Sequence, residues 1–222
     1  MMLIIYSCLL MMIVIYFVKR RCLTHDRCTM RVSREKAAEN RERIIDAAGA
    51  LFRAKGFGGI GVADIMKAAD LTHGGFYGHF VSKDDLVAQA SRRTMARSAV
   101  KWERVAAGAP DQPYAALLRH YLTPRHRDEP DRGCAFAALS ADAGRSGKAV
   151  REAFTEGLEP LIDILAKAVP GRSKATRRRK AVAAMAGLVG ALTLARAVRD
   201  SSLSNEILEA ALRELLAAAG GA

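Results

Sequence analysis

Apolar residues recur three and four apart along most of this chain, and no sustained run alternates Val, Ile or Thr with polar residues. Spacing of that kind draws an apolar stripe along a helix, whereas a half-buried strand needs a period of two. The constraint is severe. A chain of 222 residues, half of them hydrophobic and only 6% aromatic, has to build its core from packed, Ala-rich helices. The length suits one large domain or two small ones.

From Ala37 to Lys55 the residues Ile44, Ile45, Ala48, Leu51 and Phe52 mark one helical face, and Gly56 ends it as a C-terminal glycine does. After the loose GGIG stretch at 58–61, Val62 to Ala69 reads as a short helix with Val62, Ile65, Met66 and Ala69 on one side. Asp70, Leu71 and Thr72 form a break, with Thr72 placed to cap the next short element, 73–80. Ser82 is placed to cap a long helix that starts with Lys83, Asp84 and Asp85 and runs to about Ala106, before the Gly108-Ala109-Pro110 break. Two short helices across a three-residue break, behind a longer supporting helix, make a helix-turn-helix unit.

Its second helix lies in LTHGGFYGHFVSKDDL, residues 71–86, where Gly74, Gly75 and Gly78 sit among Phe76, Tyr77 and Phe80. Each interior glycine costs a helix about 1 kcal/mol against alanine. As an isolated motif the segment reads equally as an ordinary loop. Within this spacing it reads as a helix whose small residues let a partner reach the backbone, while Phe76 and Phe80, four apart, face the core. Tyr77 and His79 are then left to offer donors to phosphate oxygens.

RERIIDAAGALFRAKGFGGIGVADIMKAADLTHGGFYGHFVSKDDL resembles the amino-terminal domain of the TetR family of transcriptional regulators. The likeness rests on the AA..LF...GF run, the helix-turn-helix spacing, the FY.HF core and the lysine three residues beyond it, and it covers residues 38–90. It implies a homodimer on a near-palindromic, double-stranded DNA operator, usually as a repressor, with a small-molecule effector pocket in the carboxy-terminal domain. Carried over by position, Thr72, His73, Gly74 and Gly75 would face bases, and Tyr77, His79 and Lys83 would contact phosphates. Ile60 and Gly61 depart from the family, where Thr or Ser is usual; Gly61 still caps weakly, without a hydroxyl for phosphate.

Charge agrees without deciding. The net charge of +12 favours a polyanionic partner, nucleic acid or an anionic membrane surface, and no segment is a polybasic tail. Residues 1–18 are uncharged and almost wholly apolar, followed by Lys19, Arg20 and Arg21, in the wrong order for a secretory signal. Two readings stand: a misassigned start, since residues 1–29 contain no Ala and no Gly, or a single-span membrane anchor that leaves the body in the cytoplasm. Three of the four cysteines lie in those 29 residues, so no disulfide framework is expected and a reducing, cytoplasmic compartment is.

Residues 112–219 read as five helices. Pro113 starts one and Pro124 ends it; RHRDEPD is a charged loop; Gly133–Ala143 is a short apolar helix; Ala149–Ala168 follows, with a kink expected at Pro160. Two apolar helices close the chain, the first carrying Ala183, Gly187, Ala191 and Ala195 every four residues, a stripe suited to close helix approach; the family resemblance implies pairing of these helices with a second copy, and packing within the chain is the alternative. Trp102, Tyr121, Phe136, Phe154 and Met185, as large apolar residues of this helical body, are the expected pocket liners. Cys134 lies in a DRGCAFAALSADAG stretch that resembles a TetR subgroup with a Gly-Cys pair, some members of which respond to electrophiles or oxidants; the alternatives are a sensing thiol and a small buried hydrophobe. His120 and His126 lack further ligands at metal spacing, no phosphate-cradling loop or catalytic triad is present in the sequence, and no cofactor is called for.

The expectation is therefore an all-α protein. Residues 38–98 form a three-helix DNA-binding domain, residues 99–222 form a helical effector-binding and dimerisation domain, and residues 1–29 stand apart. A ligand-responsive repressor is expected rather than an enzyme; a membrane-anchored regulator of the same fold is the alternative.

Overall fold

A computed structural model describes residues 33–220, and the readings made for residues 1–29 lie outside it. Among the described residues every regular element is helical. By its internal packing the chain divides into two units, 1–43 and 44–222. The described part of the first is helical and holds an exposed Lys36–Glu39 ion pair, three residues apart.

In the second unit α1 (residues 33–55, of which 44–55 belong here) buries Ile44, Ala48 and Phe52. Gly56 stops it at φ +75°, donating its N–H to the Phe52 carbonyl, a left-handed close that glycine adopts without strain. α2 (Val62–Ala68) buries Ile65 and Met66. It closes through Asp70 at φ +56°, with Leu71 N–H on the Met66 carbonyl and Asp70 N–H on that of Lys67. That is a Schellman turn with Asp where Gly is usual, and it fixes the angle at which the chain enters the next element.

This next element is a 3₁₀ helix, His73–Gly78, rather than a continuous α-helix over 73–80. Three glycines in six residues leave little to hold an α-turn, and the tighter winding keeps Phe76 pointing inward. Ser82 caps α3 (Lys83–Ala107) through its hydroxyl, which accepts from the Asp85 N–H at 3.1 Å.

α3 runs unbroken past residue 98 and packs most extensively on α7 (Lys148–Ala168). α4 (Pro113–Tyr121) lies against α3, while α8 (Lys174–Ala197) packs on α7 and on α9 (Ser201–Gly220). Two expectations are corrected here. Pro124 ends no helix; it opens α5 (Pro124–Asp128), with the Thr123 hydroxyl accepting from His126 N–H, because proline at a first helical position loses no needed hydrogen bond. The charged loop is thus a short helix, followed by a 3₁₀ turn, Pro130–Arg132, and α6 (Ala135–Gly144), which gives six α-helices where five were read. α7 continues through Pro160.

The small-residue stripe of α8 is divided. Ala191 and Ala195 are buried in this chain, and a Cβ on Gly187 would stand 3.1 Å from Leu215 of α9, so those three positions serve packing within the chain. Ala183, Val182 and Leu194 face outward, as does Leu203 of α9.

Candidate DNA interface and effector cleft

The 72–80 segment has two faces. Inward, Phe76 and Phe80 are 0% and 2% exposed, their rings stacked with centroids 5.6 Å apart, and each contributes about 2 kcal/mol of burial. Outward, Thr72, His73, Gly74, Gly75 and Gly78 are exposed, and Tyr77 shows 74% of its surface. A Cβ added at Gly74 or Gly78 would meet nothing within 4 Å, and neither residue has a positive φ. Nothing inside the chain therefore requires glycine at either place. The Tyr77 ring stands edge-on to Phe76, which steadies it while the hydroxyl stays in solvent; His79 is half-buried beside Phe80.

Gly61 is the N-cap of α2, and its N–H is taken by the Asp64 carboxylate at 3.2 Å, leaving that helix start less open to an anion. Lys83 is placed differently from a free phosphate contact. Its ammonium donates to the carbonyls of Phe57 and Ile60, both at 2.6 Å, tying the 57–60 loop to the start of α3. Two of its three N–H groups are used, so its first role is to brace the unit.

The second feature is a cleft of about 580 Å³ among α3, α4, α5 and the start of α6. Of the five expected pocket liners, Trp102 and Tyr121 line this cleft, as does Cys134. Phe136 and Phe154 meet edge-on at 5.4 Å and line a second, more open pocket of about 730 Å³ with Leu158, while Met185 is buried in the core on α8. A list of large apolar residues cannot separate cleft from core, since both need them.

His126 organises the cleft wall. Its Nδ1 bonds the Tyr121 carbonyl at 2.8 Å, and its Nε2 accepts the Cys134 N–H at 2.9 Å, so the ring is neutral with its proton on Nδ1. Burial, then the Arg196 and Lys101 charges, lowers its pKa to about 4, against the raising effect of the Tyr121 bond. Arg196 donates to the His126 carbonyl at 2.6 Å and to that of Arg127 at 3.0 Å. Gly133 is held between them: a Cβ there would lie 2.8 Å from Arg196 Nη2 and 3.0 Å from the His126 ring. Cys134 is 7% exposed at the N-cap of α6 and makes no side-chain cap bond. The Tyr121 hydroxyl is buried beside Cys134 and Arg196, and burial raises its pKa well above the ordinary value. Among the described residues no group of His, Cys, Asp and Glu could hold a metal ion.

The cleft wall touches the helix-turn-helix side of this unit at two places. Arg53 of α1 donates through both Nε and Nη2 to the Asp131 carbonyl, and through Nη1 to Thr94 of α3 at 2.7 Å. Asp142, at the other end of α6, accepts the Phe57 N–H at 3.0 Å.

Residues 44–90 match the family model described as "Bacterial regulatory proteins, tetR family". Over 59 residues the chain is 37% identical to the HTH-type transcriptional regulator AcrR of Shigella flexneri, which is 27% of each chain, so it spans about a quarter of that relative's length. A TetR transcriptional regulator from Chloroflexus aurantiacus superposes with a TM-score of 0.67 at 25% identity, covering 82% of this chain and 94% of that one. The reduced form of NemR from E. coli superposes with a TM-score of 0.67 at 22% identity, over 80% and 95% of the two chains. A TetR-family regulator from Cytophaga hutchinsonii does so with 0.69 at 20%, over 84% and 98%. Residues 44–90 thus match the amino-terminal domain model of the TetR family of bacterial regulatory proteins, and the described residues share the fold of solved chains described as TetR-family regulators.

Proposed function

We propose that the chain is a homodimeric transcriptional regulator that grips a near-palindromic operator through residues 72–79 and is released by a small molecule in the 101–134 cleft. The observation that carries the DNA-binding reading is the empty space outside Gly74 and Gly78, beside exposed Thr72, His73 and Tyr77, on a segment pinned from below by two buried rings. Glycine without an internal reason, next to donors held in solvent, is the arrangement a helix needs to lie close to a phosphate backbone and base edges. Two copies are required because one such segment reads too few bases, and the outward apolar residues Val182, Leu194 and Leu203 give the carboxy-terminal helices a face to pair. Repression by occlusion is the expected mode.

Release works by differential affinity: an effector that fits better when α6 has shifted draws the chain toward that arrangement. The Asp131–Arg53 and Asp142–Phe57 bonds carry such a shift to the end of α1 and the loop beneath α3. Cys134, at the cleft wall, is the group through which a thiol-directed effector would act, as in the Gly-Cys subgroup that the sequence resembles.

The test is selection of binding sites from random and genomic DNA with the purified chain. A twofold-symmetric site, weakened at least about tenfold by Tyr77→Ala with an unchanged melting temperature and by raised salt, is the expected result. Tyr77 is a cleaner probe than Lys83, whose removal would also loosen the 57–60 loop. No enriched site would end the operator reading. Loss of DNA affinity on treatment with an electrophile, absent in Cys134→Ser, would establish the thiol response; equal behaviour of the two proteins would exclude it.

A further inference from the structure

The cleft carries an unbalanced charge. Lys101 of α3, Arg119 of α4, Arg125 of α5 and Arg132 before α6 stand around it, against one acid, Glu129. Glu129 is already engaged by Arg125, Nε to Oε1 at 3.2 Å. Among the described residues no carboxylate lies within ion-pair distance of Lys101, Arg119 or Arg132. Some other arginines of this unit are paired, Arg92 with Glu156, Arg97 with Asp46 and Arg178 with Glu159 and Asp163. The histidines of the cleft register the same field: burial first, then Lys101, lowers the pKa of His120, and Lys101 is among the groups lowering that of His126.

Beneath these exposed cations the floor is apolar. Trp102 and Tyr121 meet edge-on at 5.8 Å, and Leu161 is 1% exposed. A volume of about 580 Å³ admits a small organic molecule. A cationic ligand would meet like charge from three elements, and a neutral one would leave three cations unanswered. We infer that this cleft selects an organic anion, its carboxylate, sulfonate or phosphate held by Lys101, Arg119 and Arg132 and its apolar body laid over Trp102 and Leu161. The inference rests on reading the cleft as the effector site and adds the chemical class of the effector.

The test uses two probes of one ring system, 1-anilinonaphthalene-8-sulfonate and its uncharged counterpart N-phenyl-1-naphthylamine, titrated into the full chain without DNA. Trp102 is the only tryptophan of the sequence, so energy transfer to the probe has a single donor, and that donor lies in the cleft floor. The sulfonate is expected to saturate one site per chain, to bind at least about tenfold more tightly than the neutral probe, and to weaken with salt. Lys101→Gln, Arg119→Gln and Arg132→Gln should each weaken it several-fold and leave the neutral probe unmoved, whereas Lys148→Gln and Arg151→Gln, in the second pocket, should change neither. Thermal melts matching the parent keep the comparison sound. Equal affinity for both probes, or equal losses from the two sets of variants, would overturn the inference. Because no DNA is present, failure of the operator reading leaves this result intact, and the reverse also holds.

Discussion

Gly74 and Gly78 stand in open space, whereas Gly133 is enclosed by a guanidinium and an imidazole. In the 72–80 segment the backbone bonds are few and local, the side chains on one face are buried, and the other face is unused by the chain itself. In the 126–134 segment several backbone groups and one ring are answered internally: both nitrogens of His126, the Cys134 N–H and the carbonyls of Arg127 and Asp131. One region leaves its outward face in solvent. The other uses its polar groups to hold a wall in place. Substitution at the same residue type should therefore damage binding in the first and stability in the second.

The strongest challenge is Phe76→Ala, which removes a fully buried ring from beneath the outward face and should cost about 3–4 kcal/mol by chemical denaturation. A loss below about 1 kcal/mol would mean that the 72–80 segment is not held from within. A change of pH tests the wall. With a folded pKa of about 4 against about 6.5 unfolded, His126 takes up its proton in the unfolded chain first. Stability is therefore lost as pH falls from about 6.5 to 4, by on the order of 2–3 kcal/mol, and then levels. The His126→Gln variant should lack this component, so the gap between the two proteins narrows on acidification; a pH-independent gap would contradict the neutral, doubly bonded ring.

Gly133→Ala should cost about 1–3 kcal/mol, because Arg196 is anchored by two carbonyls and cannot swing clear. The matching changes Gly74→Ala and Gly78→Ala should leave stability unchanged or raise it by up to about 1 kcal/mol, since a Cβ there meets nothing, while weakening the selected DNA at least about tenfold. If Gly133→Ala were neutral, or Gly78→Ala bound DNA as well as the parent, the contrast between the regions would fail.

Much of the inner architecture was readable from local pattern. The spacing of Phe76 and Phe80, the Ser82 cap and the Gly56 stop are decided within a few residues, and periodicity reports on that range. Pro124 was misread because a proline that ends one helix also suits the first turn of the next, and no local signal separates the two. The cleft was half visible. Trp102, Tyr121 and Cys134 stand out in the sequence by size or reactivity, whereas the cleft's cations come from α3, α4, α5 and the turn before α6, and only the fold brings them together. The same holds for Lys83, whose motif position suggested an outward role while its carbonyl partners lie more than twenty residues earlier.

One continuous rod joins these two regions. α3 begins at Lys83, beside the 72–80 segment, and carries Trp102 in the cleft floor without a break. Nineteen residues of helix measure about 28 Å, so a tilt of about 5° pivoting at the cleft would displace the far end by about 2.5 Å. That approaches the length of a hydrogen bond. If an effector seats on Trp102 as proposed, a shift of a fraction of an ångström there would have the leverage to unmake contacts at the distant end, and the long helix would act as a mechanical amplifier as well as a scaffold.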